Sequence, residues 1–303
     1  MNSHRKGIVA YLLIAFALAW AIWEAAYRIV GTKHPMVALG FASPAAFAPA
    51  MACFIVRKWI TREGFADAGL RLHLRKWPYY VVGWLLPLPV MACVVVLAPM
   101  FGAGVADFSL DQGFRYMASL GAIIPAWVPR SLVPLVCMWL VKAIVGAPIL
   151  FGEEFGWRGY LQKRLFPTNP VLSAVATGIV WGLWHLPLTL RGYGFPNNPK
   201  FGALVMYPIG GIIFSIIFGW LVLKTGSIWS SSLAHASINA VGGGISIILF
   251  GGGANFLYVS IGGFLAMIPL AALSAWIVFT GQLKPADATV TGEPELSRSA
   301  RAS

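Results

Sequence analysis

Apolar runs of about 20 residues recur along most of this 303-residue chain. A helix of that length crosses the ~30 Å of hydrocarbon in a bilayer. Inside hydrocarbon every backbone N–H and C=O must be paired within the protein, so only helices and closed barrels span. Barrel strands alternate apolar and polar residues, and these runs do not. Only 11% of the residues are charged, about half the share of a soluble domain. The expected fold class is an all-α polytopic membrane protein, a bundle of about eight transmembrane helices.

The spans fall near Ile8–Tyr27, Met36–Val56, Tyr79–Phe101, Lys142–Lys163, Pro170–Leu190, Leu204–Leu223, Ile228–Phe250 and Phe256–Phe279. Residues 1–280 read as one membrane domain and 281–303 as a disordered polar tail. The first run is too long for the apolar core of a signal peptide, so it reads as a retained span. Fourteen Lys and Arg lie on the N-terminal side of the membrane against seven on the other, which puts both termini in the cytoplasm. The setting expected is a bacterial cell membrane. The +12 net charge follows from that loop bias, so no nucleic-acid partner is expected; the lipid bilayer is the expected surrounding. Cys53, Cys93 and Cys137 are far apart in apolar runs and read as inert core residues. The basic segment Arg57–Trp77 reads either as an interfacial helix on anionic headgroups or as a solvated loop. Taken as one helix, Ser131–Phe166 would be ~54 Å long, so it either protrudes or breaks near Pro134 or Pro148.

Charges inside the apolar runs carry the chemistry. Glu153, Glu154 and Arg158 fall within six residues of one span, where each charge costs roughly 2.5–3.5 kcal/mol at mid-bilayer. Glu154 and Arg158 are four apart and stack on one helix face. Glu153 is rotated ~100° away, with no partner in its own helix, and suits a general base. His185 lies as far after the turn at Asn169 as Glu153 lies before it, so a hairpin would bring them level. Trp181, one turn from His185, can wall the pocket. His235 and Asn239 share a face of the seventh span, with Ser231 one turn earlier. Glu and His together suit activation of water, and His with Asn suits donation to an oxyanion. Zinc held by Glu153, His185 and His235 is the rival arrangement, although the His-Glu-x-x-His helix of common zinc proteases is absent. A metal-free site is preferred.

Glu153-Glu154-x-x-x-Arg158, Trp181-x-x-x-His185 and His235-x-x-x-Asn239 resemble the three ordered motifs of the CAAX protease and bacteriocin-processing family of intramembrane proteases, with Trp181 where the family has Phe. The motif core spans 151–239. The resemblance implies a cavity open toward the cytoplasm, with Glu153 and His185 activating water and Glu154 paired to Arg158. His235 and Asn239 would form the oxyanion site, and the substrate would be a membrane-associated or lipidated protein or peptide. Other readings of the same residues are a zinc-dependent version of the protease, a catalytically silent immunity or scaffold protein, and a transporter, whose ion path would also need buried Glu, Arg and His. The pattern carries no signal for an oligomeric state.

Overall fold

In the computed structural model the described residues are 3–31 and 35–283. Among them the chain is all helical, without strands. Seven helices are long and apolar enough to cross a membrane. We label α1 Ser3–Val30, α2 Val37–Ile60, α3 Leu74–Met100, α5 Leu132–Arg164, α7 Pro199–Thr225, α8 Ile228–Phe250 and α9 Phe256–Phe279. Between them come the short α4, Asp111–Ser119, and α6, Pro170–Trp184. The protein is therefore a multi-pass integral membrane protein. The tail expected to be disordered lies, from residue 284 on, outside the described residues.

The eight expected spans are all helical, but α6 departs from expectation. Asn169 caps its start, accepting from Leu172 N at 3.0 Å, with Pro170 at the first helical position, where no donor is lost. It ends at Trp184, and a short helical turn, Leu186–Thr189, follows His185, because Pro187 has no N–H with which to continue the hydrogen-bond ladder. Its 15 residues reach ~22 Å, short of a full crossing. His185 is therefore at a helix end rather than mid-helix.

The long α5 runs unbroken through Pro148. From Lys142 to Lys163 it covers ~32 Å, which matches the hydrocarbon, and both lysines are exposed. Residues 132–141 then project ~15 Å beyond it. Glu153 is eleven residues from one lysine and ten from the other, at the middle of that stretch.

Small side chains set the closest helix contacts. α5 and α8 meet over Ala143, Ala147 and Ala236. α6 and α7 cross at Gly178 and Gly211, where a Cβ on either would run into the other's backbone. α6 packs along α7 and meets α5 chiefly at residues 157–164, so the two helices splay apart beyond the turn.

Four π turns interrupt the helices: Val56–Ile60, Trp157–Leu161, Gly202–Met206 and Ile238–Gly242. Such turns re-aim side chains and recur at functional sites. Two of them hold or adjoin motif residues, Arg158 in one and Asn239 in another.

The segment 61–73 is neither an interfacial helix nor a free loop. Arg57, 1% exposed, donates to both Asp67 carboxylate oxygens (2.7 and 3.0 Å), to the Gly64 carbonyl and to the Gly159 carbonyl of α5 (3.2 Å). Arg164 pairs with Glu63 at 2.8 Å, and Lys163 donates to the Asp67 carbonyl. Further along, Ile228 N donates to Gly69 O (2.9 Å) and Trp229 Nε1 to Leu70 O (3.0 Å). The segment thus ties together the basic ends of α2 and α5 and the start of α8. Burial pushes the Asp67 carboxyl upward, but hydrogen bonds from Arg57 outweigh it and hold the group below its ordinary value. Cys53 is buried, while Cys93 and Cys137 are exposed on α3 and α5, so only the first is a core residue as expected.

Candidate active site

Glu154 is wholly buried and Arg158 is 1% exposed. Arg158 Nη1 donates to Glu154 Oε1 at 3.0 Å, as the four-residue spacing predicts. Its Nη2 donates to Ser215 Oγ of α7 at 3.0 Å, and its guanidinium lies over the rings of Trp181 (4.4 Å) and Phe218 (5.1 Å). His235 Nδ1 sits 3.0 Å from the same Glu154 oxygen. A carboxylate has no hydrogen to give, so Nδ1 carries the proton and Nε2 is left for other work. Glu154 is thus a junction of α5 and α8, with Arg158 adding α7.

Glu153 behaves differently. It is 6% exposed, and no Lys or Arg pairs with it among the described residues. Its Oε2 accepts one hydrogen bond, from Trp181 Nε1 at 2.8 Å. Trp181 therefore does more than wall the pocket. A Phe at this position would present the same aromatic face but could not donate to Glu153.

His185 is half-buried. Its Nδ1 lies 2.9 Å from the Trp181 carbonyl, which also fixes the proton on Nδ1 and frees Nε2. Rings of Trp23, Trp184, Trp181 and Tyr207 surround this imidazole at 4.9–6.2 Å. The Trp181 indole touches both imidazoles edge-on, at 5.8 Å for His185 and 5.1 Å for His235.

Five of the residues expected together, Glu153, Glu154, Arg158, His235 and Trp181, are joined by this set of contacts. His185 joins through Trp181. Ser231 is buried one turn before His235, with its hydroxyl given to the Ile228 carbonyl at 2.9 Å. Asn239 is exposed, inside the π turn that follows His235, so it is not buried with the others. Among the described residues no three His, Cys, Asp or Glu side chains converge as metal ligands. Glu153, His185 and His235 form no such cluster as they stand here. Ser215 was not foreseen, although it is a lone hydroxyl in the apolar run Ile212-Ile213-Phe214-Ser215-Ile216-Ile217, a signal of the same kind as the buried charges.

Comparison with known families matches this region directly. Residues 129–241 match the family model of the Rce1-like type II CAAX prenyl endopeptidases. The match contains the whole motif core and agrees with the resemblance read from the three motifs. No curated protein matches the chain. The matched family is one of prenyl endopeptidases, which supports a protease.

Proposed function

We propose that the chain is an intramembrane endopeptidase that uses Glu153 to activate water. The observation that carries this reading is the difference between two adjacent carboxylates. Glu154 is neutralised by Arg158 and held by His235, whereas Glu153 has a single neutral donor and one oxygen free. A buried carboxylate without a cation is a stronger base than one in a salt bridge.

In the proposed reaction a water proton passes to Glu153 as the water oxygen attacks the scissile carbonyl carbon. The C–N bond of the resulting tetrahedral adduct then breaks, and the proton held by Glu153 goes to the departing amine. His185, with its Nε2 lone pair free, orients the water. His235 stands at the oxyanion, where it can donate from Nε2 only as an imidazolium because its Nδ1 hydrogen is given to Glu154; Asn239, exposed in the π turn, is not part of this set. The chain's own residues supply every proton movement, and no step runs through a metal.

The substrate class is a lipidated or membrane-associated chain whose scissile bond reaches the depth of Glu153. The test is release of the C-terminal tripeptide from a fluorogenic prenylated CAAX peptide by the purified chain in liposomes, with and without chelator. Chelator-resistant release is expected. No release from this peptide, or from an unprenylated membrane-anchored one, overturns the reading.

A further inference from the structure

Tyr11 belongs to none of the three motifs, yet it lies on the Glu153 side of α5. It is wholly buried. α1 turns Tyr11, Ala15, Ala19 and Trp23 into the bundle, and their four-residue spacing puts them on one stripe. Two bonds pin that stripe to the end of α6: Trp184 Nε1 donates to Ala15 O (3.1 Å) and Trp20 Nε1 donates to Trp184 O (2.9 Å). The Tyr11 ring packs against Trp157 (5.8 Å, edge-on) and Tyr160 (4.9 Å). On α5, Glu153, Gly156, Trp157 and Tyr160 follow three- and four-residue spacing and share a face.

Gly156 marks the closest approach. A Cβ there would come within 2.5 Å of the Tyr11 hydroxyl oxygen. The hydroxyl therefore lies about one turn from Glu153 along α5, within the electrostatic fields of Arg158 and Glu153. It has no protein hydrogen-bond partner, and neither do the neighbouring Trp157 Nε1 and Arg158 Nε. A phenylalanine would fill the same space against Trp157 and Tyr160 without burying an unmatched hydroxyl. Clustered buried polar groups of this kind hold bound water in protein interiors.

We propose that Tyr11 is a positioning residue for Glu153: its hydroxyl donates into the free side of the carboxylate through a water that also accepts from the Trp157 N–H. This rests on the reading of Glu153 as the base. α1, outside the matched segment, then helps set the rotamer of the group that must meet the nucleophilic water, and orientation of that kind is worth much in rate.

The test uses the full chain in liposomes with two readouts. Turnover of the fluorogenic prenylated peptide gives kcat and KM. Difference infrared spectroscopy gives the Glu153 carboxyl band, assigned by its loss in Glu153→Gln. Tyr11→Phe is expected to lower kcat roughly 3- to 10-fold at unchanged KM and to shift the band. Tyr11→3-fluorotyrosine, a stronger donor that keeps the packing, is expected to shift it the opposite way, and it carries the test if the Phe variant does not fold. A Glu153 band that stays put in both variants overturns the proposal, whatever happens to turnover. If the band moves but wild type never cuts the peptide, the substrate reading fails and the Tyr11 assignment stands.

Discussion

Replacing Arg158 with methionine should destabilise the protein far more than removing the whole Glu154–Arg158 pair. The side chain is 1% exposed, and it holds Glu154 at 3.0 Å and Ser215 at 3.0 Å while covering the Trp181 and Phe218 rings. Methionine keeps much of the volume but leaves a wholly buried carboxylate without its cation. Breaking a buried pair from one side costs about 3–5 kcal/mol. The Ser215 bond adds about 1 kcal/mol and the ring contacts about 1 kcal/mol. His235, 3.0 Å from the same Glu154 oxygen, keeps one hydrogen bond on the carboxylate and recovers part of the loss. The net expectation for Arg158→Met is about 3–4 kcal/mol. In the double variant Glu154→Gln, Arg158→Met no charge is stranded, and the loss should fall to about 1–2 kcal/mol. The assay is reversible unfolding in mixed micelles followed by fluorescence of the 13 tryptophans, as a full double-mutant cycle. A single-variant loss below about 1 kcal/mol, or a double variant as unstable as the sum of its parts, would refute the buried-pair description.

The helix crossing gives a contrasting pair of glycine substitutions. Gly211→Ala drives a methyl into the Gly178 backbone and should cost about 1–3 kcal/mol, whereas Gly146→Ala meets nothing within 4 Å and should be neutral or stabilising by up to ~1 kcal/mol; the same micelle unfolding assay decides both. Trp181→Phe should retain cleavage within about tenfold of wild type, since it loses one N–H donor but keeps the aromatic wall; a drop beyond a hundredfold would show that the indole N–H does more than hold Glu153. Because the Asp67 carboxyl is held below its ordinary 3.8, its contribution is complete above that value and is lost as pH falls through the lowered one. Limited proteolysis of the 61–73 segment should therefore be flat from about pH 8 to 5 and rise below about pH 4, while Asp67→Asn is open throughout; a rise already at neutral pH in wild type would contradict the latch.

The helical class and all eight segments were legible because lipid forces each span to declare itself as an apolar run of known length. Glu154–Arg158 was legible too, since an α-helical four-residue spacing leaves little choice of partner. What the one-dimensional pattern misjudged depends on contacts between helices. The hairpin count brings Glu153 and His185 toward one depth, but it could not show that α6 follows α7 through the Gly178–Gly211 crossing or that the indole of Trp181 donates to Glu153. Asn239 was expected beside His235, yet the π turn at Ile238–Gly242 changes the helical phase between them, and no residue pattern announces such a turn. Arg57, in a basic run, was read as lying on headgroups or in a solvated loop; its burial follows from Asp67, ten residues on, and from the Gly159 carbonyl in another helix. Ser215 and Tyr11 are single residues whose meaning appears only once their neighbours in space are known.

The most direct measurement compares Glu153→Gln with Glu154→Gln and Ser231→Ala in liposomes, each verified as folded and inserted, using single-turnover cleavage of the prenylated peptide. If Glu153 deprotonates the attacking water, its variant should lose at least a thousandfold in rate at unchanged peptide affinity, while Ser231→Ala stays within a few fold and Glu154→Gln loses stability along with activity. Turnover retained in folded Glu153→Gln, or abolished in Ser231→Ala, would contradict the water-activating carboxylate.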